Sequence, residues 1–456
     1  MDGFHTWIPS VIETAQPMKT RADAEAYIAR LQAMPRYFQN HVDSLRQGLR
    51  EGRAAVQIAV ERAMRQLEEL TKTSPEQTPY ANVIKKLPED LRARYEPRIL
   101  EAVRSSVYPA HESYLKFLKE EYSAKARGDD KPGLFYVAGS SGAYSYLIRL
   151  HTTLDKAPAE LYKAGMDELA SIHAEMGKIA KRRGHTGDLK SFFEKMRKDP
   201  DNFFKTRQDV LETTQRLVAK TQEKLPQYFG RLPKTPLIVK AIEGYKEKHA
   251  IAAYYYPPPD DLSRPGVYYV NTYQPETRPR FSMAALAVHE GLPGHHLQIA
   301  LALEKRDLPA FRRNGGFNSF VEGWALYSER LAEEMGLYPD DLSRLGMLSF
   351  QAWRACRLVV DTGLHARGWA RWRTIDFMKQ NTPMSEEEII AEVDRYIVIP
   401  GQALAYKVGQ REILALRRES RALLKQKFDL RAFHDRVLEN GALPLTTLRR
   451  IVLNPY

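Results

Sequence analysis

Between Val288 and Gln298 the chain reads Val-His-Glu-Gly-Leu-Pro-Gly-His-His-Leu-Gln, and this stretch holds three of its twelve histidines. No regular helix runs through it. Pro293 offers no N–H to the carbonyl of His289, and Gly294 beside it loosens the backbone further. The stretch therefore demands a kink or bulge at Pro293-Gly294, and the chemistry of its flanks depends on that distortion. Histidine nitrogens and a carboxylate are zinc ligands, and an adjacent Glu can act as base toward a zinc-activated water. The plain H-E-x-x-H pattern places two histidines four apart on one helix face. Here Pro293 occupies the second histidine's position.

Helix arithmetic sharpens the point. On a straight helix His296 lies about 20° from His289 around the axis but about 10.5 Å along it. Zinc takes histidine nitrogens at about 2.0–2.1 Å, so one ion cannot bridge that rise. His295 is nearer in rise but about 120° off the face. A bulge that absorbs the extra residues would bring His295 to the second ligand's place. The competing account is a helix broken by Pro-Gly with solvent-facing histidines. HE followed by HH in so short a span favours the metal.

A catalytic zinc takes three protein ligands and keeps one position open. Glu322, on the next predicted helix, is the best third ligand, with Glu329 two turns on along the same face as its alternate. Glu290 is then free to serve as general base. Arg354, Arg357, Asp361 and His365 recur at steps of three and four, giving a polar face on an otherwise apolar helix. They form either an ion-pair ladder or a functional face, with an Arg meeting a substrate carboxylate and His365 donating to an oxyanion or supporting a ligand. Tyr406 is a candidate oxyanion donor with a core tyrosine as the competing account, and Lys407 beside it is a candidate substrate contact. A carboxylate-bridged di-iron site would need Glu-x-x-His pairs, and no histidine has Glu three residues upstream. A Ser nucleophile elbow is absent too, since Gly139-Ser140-Ser141-Gly142 is one residue too short.

Around this centre the chain reads as mainly α. Phe38, Val42, Leu45 and Leu49 form one amphipathic stripe, Val56, Val60, Met64 and Leu67 a second, and Leu169, Ile172, Met176 and Ile179 a third. The third predicts a helix from about Pro158 to Gly184. Residues 131–142 break the pattern with PG and GSSG and read as a loop that could line a cleft. Three β-branched and aromatic runs, 237–242, 251–256 and 267–273, predict a small antiparallel sheet directly before the HE helix. An exposed strand edge there could hold an extended peptide across the metal, or the sheet is a structural hairpin. Helices are expected at 281–298 and 318–335, with a longer helical stretch over 343–380. The expected organisation is an N-terminal helical lobe over 1–235, the sheet segment at 236–275, and a helical lobe carrying the metal site at 276–456.

With 456 residues, 43% hydrophobic and 28% charged, the chain is globular. Its formal charge of +12 comes from 69 basic residues interspersed with 57 acidic ones, a solvated surface with some attraction for anions and no nucleic-acid groove. No apolar run approaches the roughly 20 residues of a membrane span. The opening MDGFHTWIPS lacks a basic n-region and an apolar h-region. The chain as written is therefore expected to be cytoplasmic, or exported if a leader preceded it. The single cysteine, Cys356, excludes an internal disulfide. Oligomeric state is not legible.

Four ordered motifs, HEGLPGHHLQ, FNSFVEGWALYSE, RLVVDTGLH and PGQALAYKVG, resemble the bacterial domain-of-unknown-function 885 family over a span from about Phe4 to the C-terminus. Members usually carry a further N-terminal segment. More distantly, the arrangement is similar to the all-α zinc peptidases that include angiotensin-converting enzyme and thermostable carboxypeptidases. There an H-E-x-G-H helix and a downstream Glu bind zinc in a deep cleft between two helical lobes. That resemblance implies a two-lobed, zincin-like fold and matches Gly294-His295 to the motif's G-H. His295 becomes the second ligand beside His289 and Glu322, and His296 a supporting or substrate-facing residue. The implied activity is zinc-dependent hydrolysis of a peptide or other amide bond. Its rivals are hydrolysis of a non-peptide conjugate and a non-catalytic peptide-binding protein with a degenerate site.

Overall fold

The computed structural model describes residues 3–140, 142–248 and 250–454. The chain forms two compact units: Met1–Ser140 with Gly368–Trp372, and Ser141–Arg367 with Arg373–Tyr456. Residues 142–235, expected in an N-terminal lobe, thus belong to the unit that carries the candidate metal residues.

The first unit is helical. The stripe from Phe38 falls on helix Met34–Arg50 and that from Val60 on helix Gln57–Lys72. Gly52 punctuates them with a left-handed φ of +71° that a side chain would resist. Its core gathers Phe38, Val42, Val60 and Leu67 with Tyr27, Tyr80 and Tyr95. The loop read at 131–142 contains a short 3-10 turn, Leu134–Tyr136, and Ser141 lies outside the described residues.

The second unit is built on helix Asp341–Ala366, started by a capping box between Asp340 and Ser343. It is buried nearly all round, as a helix enclosed by others should be. One neighbour is helix Pro158–Arg182, whose Leu169, Ile172, Met176 and Ile179 are all buried. Gly165 lets the two approach, because a Cβ there would lie 2.7 Å from the Val359 side chain and 3.0 Å from the Ala355 carbonyl. The helical stretch expected over 343–380 is two helices, Asp341–Ala366 and Arg371–Asn381. Gly368, at φ +64°, falls in the break.

The sheet has three strands, β1 (Leu237–Ala241), β2 (Ala253–Tyr256) and β3 (Gly266–Val270), in the order β1-β3-β2. It is mixed, which corrects the antiparallel expectation: β1 pairs with β3 in parallel, and only β2 with β3 is antiparallel. Strand composition reports a pleated, half-buried surface and carries no information about direction. β2 is left at the sheet edge. Among the described residues no helix is long and apolar enough to cross a membrane.

Candidate metal centre

The Pro-Gly stretch neither bulges nor kinks within one helix; it divides two. Helix Met283–Glu290 stops, residues 291–294 form a turn containing a cis Leu292–Pro293 bond, and helix His295–Glu304 begins. The Gly294 N–H reaches back to the Val288 carbonyl at 3.0 Å. A Cβ on Gly294 would sit 2.0 Å from the His289 carbonyl oxygen, so glycine alone fits. The turn is fastened from outside by Trp324, whose indole N–H donates to the Pro293 carbonyl at 2.8 Å. Trp324 lies on helix Asn318–Glu334, which also carries Glu322. One turn thus sets the two histidines relative to each other and to the third residue.

His289 and His295 face each other edge-on, with ring centroids 4.8 Å apart and planes at 84°. The Nε2 atoms of both lie 3.5 Å from Glu322 Oε2. That is long for a charge-assisted hydrogen bond and close to the edge of a tetrahedron, about 3.4 Å, for ligands about 2.05 Å from zinc. Glu322 Oε2 is buried without a hydrogen-bond partner. The ligand atoms of these three residues all lie within 4.8 Å of one another, forming the metal-type cluster found among the described residues. The donor set and the orphaned oxygen fit a zinc-sized ion.

Glu329, the alternate ligand, has another place. Its Oε1 meets His289 Nδ1 at 2.8 Å, fixing the ring so that Nε2 turns to the cluster. Its Oε2 accepts from the Gln351 amide at 3.0 Å, and Gln351 in turn accepts from Lys407 Nζ at 2.8 Å. Burial opposes a charge on His289, but Glu322 and Glu329 outweigh it and raise its pKa to about 9. On Glu322 burial is likewise outweighed, by His289 and His295, so its carboxyl is held well below the usual range. The surroundings therefore stabilise positive charge where a cation would sit. Glu329→Gln is expected to weaken metal affinity roughly 10–100-fold, measured by competition with a chromogenic chelator; unchanged affinity would remove Glu329 from the site.

The remaining candidates divide. Glu290 ends its helix beside the cluster and accepts the backbone N–H of Tyr255, on edge strand β2, at 2.9 Å. Tyr406 stacks on His289 at 6.5 Å and 16°, and Arg354 and Arg357 lie over that same tyrosine ring at 5.9 and 4.3 Å. His296 turns away: its ring meets the Tyr255 hydroxyl at 3.0 Å and the Thr235 carbonyl at 3.1 Å. Gly266 leaves room for that pair. Both His296 nitrogens are thus engaged in a buried tie between sheet and helix, which leaves none for a substrate. Lys407 is buried beneath Gln351 and Gln410, and burial lowers its pKa to about 8. It supports the Glu329 chain and does not face outward. His365 packs on Tyr144 and meets the Tyr396 carbonyl at 3.0 Å, contacts that do not join it to the cluster.

Sequence reasoning missed Tyr268. This fully buried β3 residue has a hydroxyl with no hydrogen-bond partner. Burial, followed by the nearby charge of Glu290, raises its pKa. Only the strand register, Tyr255 opposite Tyr268, could have suggested it.

Comparison with known proteins adds relatives. A family model described as "Bacterial protein of unknown function (DUF885)" matches residues 1–452. A crystal structure described as a "putative lipoprotein" from Colwellia psychrerythraea superposes with a TM-score of 0.93 at 32% identity, covering 100% of this chain and 80% of that one. Another solved structure, described as a "putative lipoprotein of unknown function" from Shewanella oneidensis, gives a TM-score of 0.73 at 20% identity, covering 97% of this chain and 80% of that one. The second likeness speaks for the fold alone. No curated protein sequence matches.

Proposed function

The chain belongs to the DUF885 family, and we propose that it is a zinc-dependent hydrolase of peptide or other amide bonds. The observation that carries this reading is the convergence of His289 Nε2, His295 Nε2 and Glu322 Oε2, with Glu290 beside them and outside the ligand set. Zinc held there would supply Lewis-acid activation of a water and a substrate carbonyl. Glu290, steadied by the Tyr255 N–H, takes a proton from the attacking water. As the C–N bond breaks, it returns that proton to the leaving nitrogen. Burial, followed by the Glu322 charge, raises the Tyr406 hydroxyl pKa, so Tyr406 stays protonated and can donate to a developing oxyanion. The zincin-like reading of the fold belongs to the same proposal and rests on the order of ligands along three helices. The lipoprotein description of the Colwellia psychrerythraea relative supports an exported setting, which fractionation of the native host would test.

The direct test is a peptide-library digest by zinc-loaded protein, with and without chelator, read by mass spectrometry alongside metal analysis. The expected result is about one zinc per chain and cleavage that chelation stops. Bound zinc with no cleavage of any peptide or simple amide would overturn the hydrolase. Failure to bind zinc at all would favour the peptide-binding alternative.

A further inference from the structure

Near the cluster, Arg354 is held by ring faces and by no acceptor. It is only 4% exposed, yet among the described residues it makes no hydrogen bond and no ion pair, and its Nε and Nη1 are buried without partners. Aromatic rings enclose it: Trp353 at 4.2 Å, Phe350 at 4.6 Å and Tyr406 at 5.9 Å. One helical turn on, Arg357 gives its Nε to the Tyr396 hydroxyl and its Nη2 to Glu392, each at 2.9 Å, but its Nη1 is again buried and unpartnered.

Ring faces attract a guanidinium but do not accept its in-plane N–H groups, and buried donors without acceptors are costly. Two neighbouring guanidiniums also repel each other. Most arginines buried this deeply are paired. The acceptor missing here is an anion that arrives with a ligand. Its position follows from Tyr406, whose ring stacks on His289 and also lies against both guanidiniums. Gln351, three residues before Arg354 on the same helix, donates to Glu329, which turns that helix face toward the cluster.

We propose that Arg354, assisted by Arg357 Nη1, binds a carboxylate of the substrate, so that the bond cut lies close to a free carboxyl group. This deepens the hydrolase reading and rests on it. The carboxylate is either the C-terminus of a peptide or an acidic side chain next to the scissile bond; both present the planar acceptor that arginine suits.

The test separates binding from catalysis. Chelator-treated protein is titrated calorimetrically with N-acetyl-phenylalanine, N-acetyl-phenylalaninamide and N-acetyl-glutamic acid diamidated or amidated only at its α-carboxyl. Wild type is expected to bind a carboxylate-bearing probe at least about tenfold more tightly than its amide, and Arg354→Gln to lose that preference. Preference for the free α-carboxyl identifies a C-terminal grip, and preference for the free γ-carboxyl identifies an acidic side chain; either supports the subsite. Should Arg354→Gln fail to fold, Arg354→Lys serves, retaining charge and part of the preference. Equal binding of acids and amides by wild type would overturn the proposal, even with zinc-dependent hydrolysis intact. Acid-selective binding without hydrolysis of any peptide would uphold the subsite and sink only the hydrolase.

Discussion

Glu290→Gln is expected to leave the metal in place and abolish hydrolysis. The substitution keeps shape and length, so the amide oxygen can still accept the Tyr255 N–H. His289, His295 and Glu322 are untouched, and zinc stoichiometry should stay at the wild-type level. What disappears is the proton acceptor beside the attacking water. General acid–base groups contribute typically about 10²–10⁴-fold, and Glu290 is assigned both the acceptance and the return of the proton, so a loss of about 10³-fold or more in kcat is expected. The measurement pairs steady-state rates with metal analysis on the same sample. Turnover within tenfold of wild type, with zinc retained, would remove Glu290 from the mechanism.

The second large effect is on stability. Helices Asn318–Glu334 and Ala405–Leu424 meet backbone to backbone at Gly323 and Gly409. A Cβ on Gly409 would lie 1.8 Å from the Ser319 carbonyl oxygen and 2.7 Å from the Gly323 Cα. Those atoms cannot rotate aside as a side chain could, so Gly409→Ala must push the helices apart. Overpacking costs about 1–3 kcal/mol and occasionally more; rigid backbone neighbours put this case at about 3 kcal/mol or above. At roughly 1.5 °C per kcal/mol for a unit of this size, Tm should fall by about 5 °C. Glu322 precedes Gly323 and Tyr406 lies one turn before Gly409, so the same separation should also weaken metal binding. Gly177→Ala is the control: a Cβ there meets nothing within 4 Å, and alanine's helix propensity should leave that variant as stable as wild type or slightly more so. Thermal unfolding of both, with and without zinc, decides the matter. Equal melting of the two variants would show that the Gly323–Gly409 approach does not constrain the fold.

The sequence by itself determined the helical character, the place of the three strands and the residues worth watching. Each of these is local. The stripes of Met34–Arg50, Gln57–Lys72 and Pro158–Arg182 record which face of a helix is apolar, and β-branched runs record a pleat. HE and HH within a few residues gather metal-ligand residue types through composition alone. The tertiary structure decided everything that depends on which surfaces meet. Periodicity says that a face is buried without saying against what, so the parallel pairing of β1 with β3 was not legible. Nor was the inclusion of residues 142–235 in the second unit. Glu322 and Glu329 share one helix face seven residues apart, yet one turns to the cluster and the other to His289 Nδ1. His295 and His296 are neighbours, yet the first faces Glu322 and the second ties Tyr255 to Thr235. In both pairs the difference lies in what the rest of the fold brings alongside. The Pro-Gly turn joins the two levels: Pro293 and Gly294 forbid a continuous helix by their own chemistry, but Trp324, from a helix further along the chain, fastens the turn in the position that sets His289 against His295.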